Sequence, residues 1–460
     1  MQFYVSRIWS AGQPPHFSDL YAPWWGAHAL FTQGRNPYSP TVAREIQSVI
    51  YGAPIGSPYR GHPSEFEGGF AYPVYAAFLL WPTVRLSFSA VQTIFFFLSI
   101  FLTVASLAIW TRSFRPRISP LELLTFALFA MGSFPVLQGV RLQNLSLIAA
   151  AFLALSVLLL TSQHLLLAGI FLAVSTFKPQ FTIVLIPWLV LWAANDWRRR
   201  QSLVWSFLAS MLLLIGVGEW LVPGWISNFI RIVHAYKQYT FGHSLIDVWF
   251  PAPLGQLVTA VLLLAALALC WHRRSSPASS PRFFLAIALM LAATVTIIPT
   301  LAPHAQLLLV PGLLYLYCNR AVILRSRKLV RLAFVAVCLL VAWQWVAAAG
   351  LAFAAMTIPE NALLRWWTVP LYPSPLLPLA VSLALSCLIG IEGWGTSVGQ
   401  RLDSAQLPKK LPSSAILQGI MAKNKISPQC SSTQSAFLEA LGLYCASGPL
   451  SHSYFGGMEQ

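Results

Sequence analysis

The residue with the clearest chemical potential in this sequence is Asp19, which lies in the run 16–21 (HFSDLY). The run 33–38 (QGRNPY) follows it, and its glycine, asparagine and proline are typical of a turn. Most of the chain after these runs is apolar enough to form membrane helices. A carboxylate at the mouth of a membrane bundle, beside a turn, suggests a reaction at the membrane surface. The alternative role for Asp19 is to cap a helix that begins near Tyr21, because Asp is a favoured N-cap.

Three further residues that can carry charge, Arg141, Lys178 and His304, each lie at the end of an apolar stretch. Because charge is expensive to bury in hydrocarbon, ionisable groups at such positions are functional candidates. The alternatives are that Lys178 snorkels to the membrane interface and that Arg141 and His304 are structural residues at helix ends.

Two adjacent amides, Gln143 and Asn144, stand between apolar stretches. Amide groups both donate and accept hydrogen bonds, as hydroxyl-rich ligands require. Capping of the following helix explains Asn144 equally well. The run from Gly34 to Tyr38 is expected to form a turn that shapes the loop presenting Asp19.

Composition places the chain in the membrane, since 57% of its residues are hydrophobic and only 9% are charged. Soluble domains have about 25% charged residues. The sequence predicts an all-α fold, a polytopic transmembrane helical bundle of about 11 spans, several shorter than the usual length. The predicted spans are 87–110, 120–137, 144–160, 164–177, 180–194, 203–222, 254–271, 283–301, 306–317, 332–351 and 371–390.

The net charge of +16 comes from basic clusters in loops between these spans. The clusters are Arg112, Arg115 and Arg117; Arg198, Arg199 and Arg200; Arg273, Arg274 and Arg282; and Arg320, Arg325, Arg327, Lys328 and Arg331. This distribution follows the positive-inside rule, so it favours membrane lipids as partners and disfavours nucleic acid. Alternation then assigns the outer face to the segments 1–86, 138–143, 178–179, 223–253, 302–305 and 352–370.

Three regions are predicted. Residues 1–86 form an outer-face loop region with two interfacial helices, 20–31 and 70–84, and contain Asp19; residues 87–392 form the transmembrane bundle; residues 393–460 form a cytoplasmic, mostly disordered tail. The glutamates of the first region, Glu45, Glu65 and Glu67, are expected to be solvated loop charges. His234, His243 and Asp247 have metal-binding side chains, but their spacing matches no zinc pattern, so no metal and no cofactor are expected.

The order of short motifs resembles glycosyltransferase family 87, the polyprenol-phosphate-mannose-dependent mannosyltransferases of the GT-C membrane class. The matching runs are Asp19-Leu20-Tyr21, Gly34 to Tyr38, Phe70-Ala71-Tyr72-Pro73, Leu142-Gln143-Asn144, Ala168-Gly169, Phe177-Lys178-Pro179 and Ala302-Pro303-His304. They span most of residues 19–317 in the order of the family.

The resemblance implies an inverting transfer of a sugar, mannose or another hexose, from a polyprenyl-phosphate donor to a lipid-linked or cell-envelope glycan acceptor. It implies that Asp19 is the general base. Its other matches imply substrate-binding roles for Gln143, Asn144, Lys178, His304, Tyr38 and Tyr72. Arg141 is a further substrate-binding candidate because it is a cation at an outer joint. It also implies a multi-pass protein of the cell membrane, in a bacterium the inner membrane, with the active site on the outer, periplasmic face.

Two other readings remain open from the sequence. A secondary transporter or flippase would also be a polytopic bundle, although it predicts inverted repeats and mid-membrane charges. A truncated, inactive homologue is the second, because family members have a complete membrane helix before the aspartate and only 18 residues precede Asp19 here.

Overall fold

The computed structural model describes residues 1–10, 18–52, 68–114, 118–239, 244–251, 253–298 and 303–394, and these residues form an all-α fold with no strand. The predicted fold class is therefore confirmed. The predicted tail falls almost entirely outside the described residues, as do Glu65, Glu67 and His243.

The described residues form nineteen α-helices. The first ten are α1 (Tyr21–Gln33), α2 (Pro40–Tyr51), α3 (Ala77–Leu80), α4 (Phe88–Phe114), α5 (Pro120–Met131), α6 (Phe134–Arg141), α7 (Ser146–Thr161), α8 (Leu165–Ser175), α9 (Leu185–Asn195) and α10 (Trp197–Leu221). The others are α11 (Trp225–Tyr239), α12 (Leu245–Trp249), α13 (Leu254–Trp271), α14 (Pro281–Ile297), α15 (Val310–Cys318), α16 (Arg320–Leu324), α17 (Lys328–Ala354), α18 (Glu360–Leu363) and α19 (Leu376–Trp394).

Shorter helical turns connect these helices. A π-helical segment covers Tyr4–Trp9, and 3-10 turns cover Val74–Ala76, Trp81–Thr83, Pro179–Phe181, His272–Ser275, Pro303–Leu309, Leu364–Trp366 and Val369–Leu371. Both segments predicted as interfacial helices are helical, the first as α1 and the second as three consecutive short turns over 74–83. Their position at the membrane interface stays a prediction.

Among the described residues, five helices are long and apolar enough to cross a membrane, or six if a bent pair counts as one span. The bent pair is α5 and α6, which meet at 53°. Gly132 and Ser133 separate the two helices, and Pro135 lies in the first turn of α6. Because glycine and proline interrupt helices, this local sequence explains the bend. Every span predicted from the sequence contains a helix, but α7, α8, α9 and α14 are shorter than a full crossing.

The joints that sequence alternation assigned to the outer face contact one another. The backbone N–H of Asp19 donates to the carbonyl of Leu142 at 3.1 Å, and Lys178 reaches Asn144 at 2.9 Å. The ring of Tyr75 packs edge-on against Trp225, with centroids 5.7 Å apart. These joints therefore lie at one end of the bundle.

The joints rich in arginine likewise contact one another. The indole of Trp192 donates to the carbonyl of Ser276 at 2.9 Å, and Arg200 donates to the carbonyl of Arg274 at 3.0 Å. Arg320 forms an ion pair with Glu122, which belongs to the capping box of α5. The basic clusters thus share an end of the bundle, as the charge pattern predicts.

Aromatic packing fixes α1 on the bundle. Tyr21 packs edge-on against Phe88 with ring centroids 4.8 Å apart, and Trp24 lies 5.1 Å from the same ring. Gly26 lets Phe70 approach the helix, since a Cβ at this position would lie 2.3 Å from the ring. α1 is therefore held at its first turns, next to Asp19.

The other end of α1 is stabilised by an ion pair between Arg35 and Glu45, whose side-chain atoms lie 2.6 Å apart. The prediction that Glu45 is a solvated loop charge is therefore wrong, because its carboxylate is paired.

Gly169 permits the close contact between α8 and α10. A Cβ on Gly169 would lie 2.1 Å from Oγ of Ser206 and 2.4 Å from the carbonyl oxygen of Leu203, which is backbone and cannot turn away. The Ala168-Gly169 motif therefore has a packing explanation, as small residues commonly do at contacts between membrane helices.

We expect Gly169→Ala to lower the thermal unfolding midpoint in detergent by several degrees, because overpacking of this kind costs about 1–3 kcal/mol. Gly216→Ala is the matched control: it lies in α10, and a Cβ there would meet nothing within 4 Å. An unchanged midpoint for Gly169→Ala, or an equal loss for Gly216→Ala, would contradict the close contact.

Candidate functional site

The site is built on a turn that ends α6. The N–H of Asn144 bonds to the carbonyl of Gly139 at 2.8 Å, and the N–H of Gln143 bonds to that of Val140 at 3.2 Å. This pair of bonds is a Schellman motif, which needs a left-handed residue where Gln143 stands with φ +50°. A non-glycine residue in that conformation is strained, and such strain is concentrated at functional sites.

The side chain of Gln143 holds the turn and the chain before Asp19 together. Its Nε2 donates to the carbonyl of Arg141 at 2.6 Å, and its Oε1 accepts from the hydroxyl of Ser18 at 2.9 Å. Its amide is thus already engaged on both atoms by protein groups. These contacts support a positioning role, and the predicted substrate contact of Gln143 stays a prediction.

A backbone hydrogen bond holds Asp19 in place, and the carboxylate of Asp19 does not cap α1. Its N–H bonds to the carbonyl of Leu142 at 3.1 Å. The helix α1 begins at Tyr21, as predicted, but its N-cap is Leu20 and no side chain caps it. The capping role considered for Asp19 is therefore absent from the structure.

Asn144 links the carboxylate to a buried ammonium. Its Nδ2 donates to Oδ2 of Asp19 at 2.5 Å, while its Oδ1 accepts from Nζ of Lys178 at 2.9 Å. Oδ1 also accepts from the N–H of Ser146 at 2.8 Å, which begins α7. Since both neighbours of Oδ1 can only donate, the amide has one satisfactory orientation. The role in starting the helix and the contact with Asp19 coexist.

Lys178 lies inside the protein, with 6% of the residue exposed. Its ammonium donates to Asn144 and to Oγ of Ser146, the latter at 2.7 Å. It also stands 5.5 Å from the ring centroid of Tyr72. Within the described residues its third hydrogen has no hydrogen-bond acceptor. The snorkelling alternative is therefore wrong for Lys178.

Burial shifts the pKa of both charged groups in the direction that favours their neutral forms. It raises the pKa of Asp19, while the hydrogen bond from Asn144 and the charge of Lys178 oppose the shift. It lowers the pKa of Lys178 to about 8, while the charge of Asp19 opposes that shift. Perturbed pairs of this kind are a mark of functional sites.

His304 is the second residue of the 3-10 turn Pro303–Leu309, which packs against α6 and α7. Burial and the nearby charge of Lys178 lower the pKa of His304 well below its usual value, so the ring is neutral. Its Nδ1 is buried and has no hydrogen-bond partner among the described residues. The structure therefore brings His304 to Lys178 and leaves a ring nitrogen free for a ligand.

The two predicted tyrosines occupy different positions relative to the site. Tyr72 faces Lys178, whereas the hydroxyl of Tyr38 donates to the carbonyl of Tyr72 at 2.7 Å. The run from Gly34 to Tyr38 forms a turn, as predicted, with Gly34 in the left-handed conformation. However, it follows the far end of α1 from Asp19, about 20 Å away along the helix. The expectation that it presents Asp19 is therefore wrong; through Tyr38 the turn supports Tyr72.

Arg141 stands outside this network. It is exposed, and its Nε donates to Oγ of Ser10 at 2.6 Å. Its predicted substrate contact stays a prediction. Ser18 and Ser146 belong to the network although the sequence analysis did not single them out; each lies within two residues of a predicted site residue, and this proximity was the available signal.

No group of three or more metal-ligating side chains occurs among the described residues. Asp247 instead forms a capping box with Ser244 at the start of α12. The charged centre of this protein is thus the chain of contacts Asp19–Asn144–Lys178, with His304 and Tyr72 beside Lys178.

One family model matches a large part of the chain. The model of glycosyltransferase family 87 matches residues 70–299, which is half of the chain and includes Asn144 and Lys178. Asp19 and His304 lie outside the matched range. No curated protein matches the chain. The length of the family match shows that this membrane protein belongs to glycosyltransferase family 87.

Proposed function

We propose that this glycosyltransferase moves a sugar, mannose or another hexose, from a polyprenyl-phosphate donor to a hydroxyl of a lipid-linked or cell-envelope glycan. The observation that carries the proposal is the contact chain in which one amide, that of Asn144, joins a buried carboxylate to a buried ammonium. A base for the acceptor and a cation for the leaving phosphate are the two groups that such a transfer needs.

Asp19 acts as the general base. A sugar hydroxyl is a weak nucleophile at neutral pH, so the carboxylate takes its proton as the oxygen attacks the anomeric carbon. The new bond joins the acceptor oxygen to that carbon, and the bond from the carbon to the phosphate oxygen breaks. A single displacement inverts the anomeric centre. The raised pKa of Asp19 makes the carboxylate a stronger base than one in water.

Lys178 stabilises the leaving group. The phosphate keeps the electron pair of the broken bond and gains negative charge, which a fixed cation lowers in energy most strongly where water is excluded. Two hydrogens of the ammonium are held by Asn144 and Ser146, which orients the group for the phosphate. Neutral His304 is placed to hydrogen-bond the same phosphate or its sugar.

The lipid-linked donor and the sidedness rest on different arguments. The five to six membrane-length helices favour a substrate that is itself held in the membrane. Arg198, Arg199 and Arg200 stand at the start of α10, whereas Gly218 near the other end of this helix packs against Val74, two residues after Tyr72 of the site. The positive-inside rule assigns the end that carries the arginines to the cytoplasm. The site is therefore proposed to face the outer, periplasmic side.

We expect Asp19→Asn to lower the rate of transfer by about 10²–10⁴-fold, the usual contribution of a general base. The measurement is sugar transfer by the purified, reconstituted protein with polyprenyl-phosphate-mannose and a panel of lipid acceptors. Asparagine can still accept the bond from Asn144, so thermal unfolding should show a folded protein. Asp196→Asn, at the other end of the bundle beside Arg199, is the matched control and should keep wild-type activity. Unchanged transfer by Asp19→Asn would exclude the base assignment.

The transfer rate should depend on pH through both charged groups. It should rise with pH as Asp19 loses its proton, at values above the ordinary carboxyl range, and fall above about pH 8 as Lys178 loses its charge. Lys178→Arg should remove the alkaline fall, because the guanidinium stays charged. Lys178→Met should lose about 10²–10³-fold below about pH 8, where the wild-type ammonium is charged, and the difference from wild type should shrink at higher pH. An alkaline fall that persists in Lys178→Arg would show that another group causes it.

Sidedness can be measured with single cysteines in a variant that lacks the native ones. Thr32→Cys, exposed at the end of α1, should react with an impermeant maleimide from the periplasmic side. Ser202→Cys, exposed beside the arginines of α10, should react only after permeabilisation. The opposite pattern would place Asp19 on the cytoplasmic face.

A further inference from the structure

The contact between α6 and the turn Pro303–Leu309 contains buried polar atoms that lack hydrogen-bond partners in the described part of the chain. Besides Nδ1 of His304, these are Oε1 of Gln138 and Oε1 of Gln306. The two elements pack against each other, and Gln138 is only 7% exposed. Since buried polar atoms nearly always have partners, three unpartnered ones on two elements that pack against each other point to a missing ligand.

The free atom of Gln306 is its oxygen, not its nitrogen. Its Nε2 lies 3.0 Å from the carbonyl of Ser374 and 2.7 Å from the hydroxyl of the same residue. A carbonyl only accepts hydrogen bonds, so the nitrogen must face Ser374 and Oε1 must be free. The group that is missing beside Gln306 is therefore a hydrogen-bond donor.

Gln138 stands one helical turn before the residue that anchors Asp19. The N–H of Leu142 bonds to the carbonyl of Gln138 at 2.9 Å, and the carbonyl of Leu142 holds the N–H of Asp19. The charge of Lys178 acts on His304 in the facing turn. The unpartnered glutamines therefore lie on the two elements that also carry the anchor of Asp19 and His304.

The chemistry of the free atoms selects the ligand. An ionised phosphodiester offers only acceptors, so it suits Lys178 and cannot satisfy Oε1 of Gln306. A sugar hydroxyl can donate to a glutamine oxygen and, if the amide of Gln138 is turned over, accept from its nitrogen. The sugar of a polyprenyl-phosphate donor is bonded directly to the phosphate, so it would lie next to whatever binds that phosphate.

We propose that Gln138 and Gln306 bind hydroxyl groups of the donor sugar, while Lys178 binds the phosphate. This inference rests on the proposed function and assigns the recognition of the sugar to residues outside the Asp19–Asn144–Lys178 chain. Discrimination among sugars follows, because a site with buried acceptors rejects an analogue that lacks the matching hydroxyl.

The test measures binding by the full-length protein in detergent, without turnover. The probes are short-chain polyprenyl phosphodiesters of mannose, glucose and galactose, and the methyl polyprenyl phosphodiester, which has the same charge and no sugar. Wild type should bind at least one sugar diester about ten-fold or more tightly than the methyl diester, as a lost set of hydroxyl contacts would predict. Gln138→Met should lose that preference and bind the methyl diester as wild type does. Gln306→Met should lose it too.

The controls separate sugar recognition from folding and from phosphate binding. Gln344→Met replaces another buried glutamine that bonds to Ser374, and it should keep the sugar preference. Lys178→Met should weaken binding of all the diesters alike. Gln138→Met should unfold at the same temperature as wild type or a higher one, since it removes an unpartnered polar atom.

The inference is overturned if Gln138→Met and Gln306→Met keep the wild-type preference. It is also overturned if wild type binds every sugar diester no better than the methyl diester. Neither of these outcomes requires transfer to occur. The proposed function is judged separately by the effect of Asp19→Asn on transfer, so either idea can fail alone.

Discussion

The structure of this site depends on a single amide. Asn144 holds a carboxylate with its nitrogen and an ammonium with its oxygen, and the backbone of Ser146 fixes which atom faces which group. A direct ion pair would let Asp19 and Lys178 neutralise each other and would occupy the oxygens and hydrogens that a substrate needs. With the amide between them, the two charges stabilise each other through space, as their opposing effects on pKa show, while each keeps capacity for a ligand. Burial of two separate charges is costly, and the geometry of the amide is what makes it tolerable.

The rest of the fold places that amide. The left-handed Gln143 ends α6 abruptly, so that Leu142 offers its carbonyl to Asp19 and Asn144 can contact the start of α7. The strain at Gln143 is offset by bonds that glycine could not make, because the amide of Gln143 ties Arg141 and Ser18 to the turn. A residue with a locally unfavourable backbone conformation thus attaches Ser18, the neighbour of Asp19, to the end of α6.

The sequence predicted the membrane character, the helical fold and the grouping of the joints, since these follow from hydrophobic length and from the position of arginines. It also singled out Asp19, Asn144, Lys178 and His304, which the structure brings together. It could not tell which amide bridges the charges and which supports the turn, because Gln143 and Asn144 are adjacent and chemically alike. The helix lengths could not be predicted either. Both α8 and α9 are as apolar as a full span, but the turns near Pro179 end α8 early and delay the start of α9. The role of the run from Gly34 to Tyr38 was misjudged because its proximity to Asp19 in sequence is undone by the intervening length of α1.

The separation of the partners along the chain has a consequence for biosynthesis. Asp19 and Asn144 are 125 residues apart, and Lys178 follows Asn144 by a further 34. The amino terminus leaves the ribosome first, so Asp19 is synthesised before helices α4 to α7 and before its partner Asn144. Until Lys178 is synthesised, the contact chain Asp19–Asn144–Lys178 lacks its ammonium. The charged centre is therefore completed only when helices that are synthesised at different times pack together.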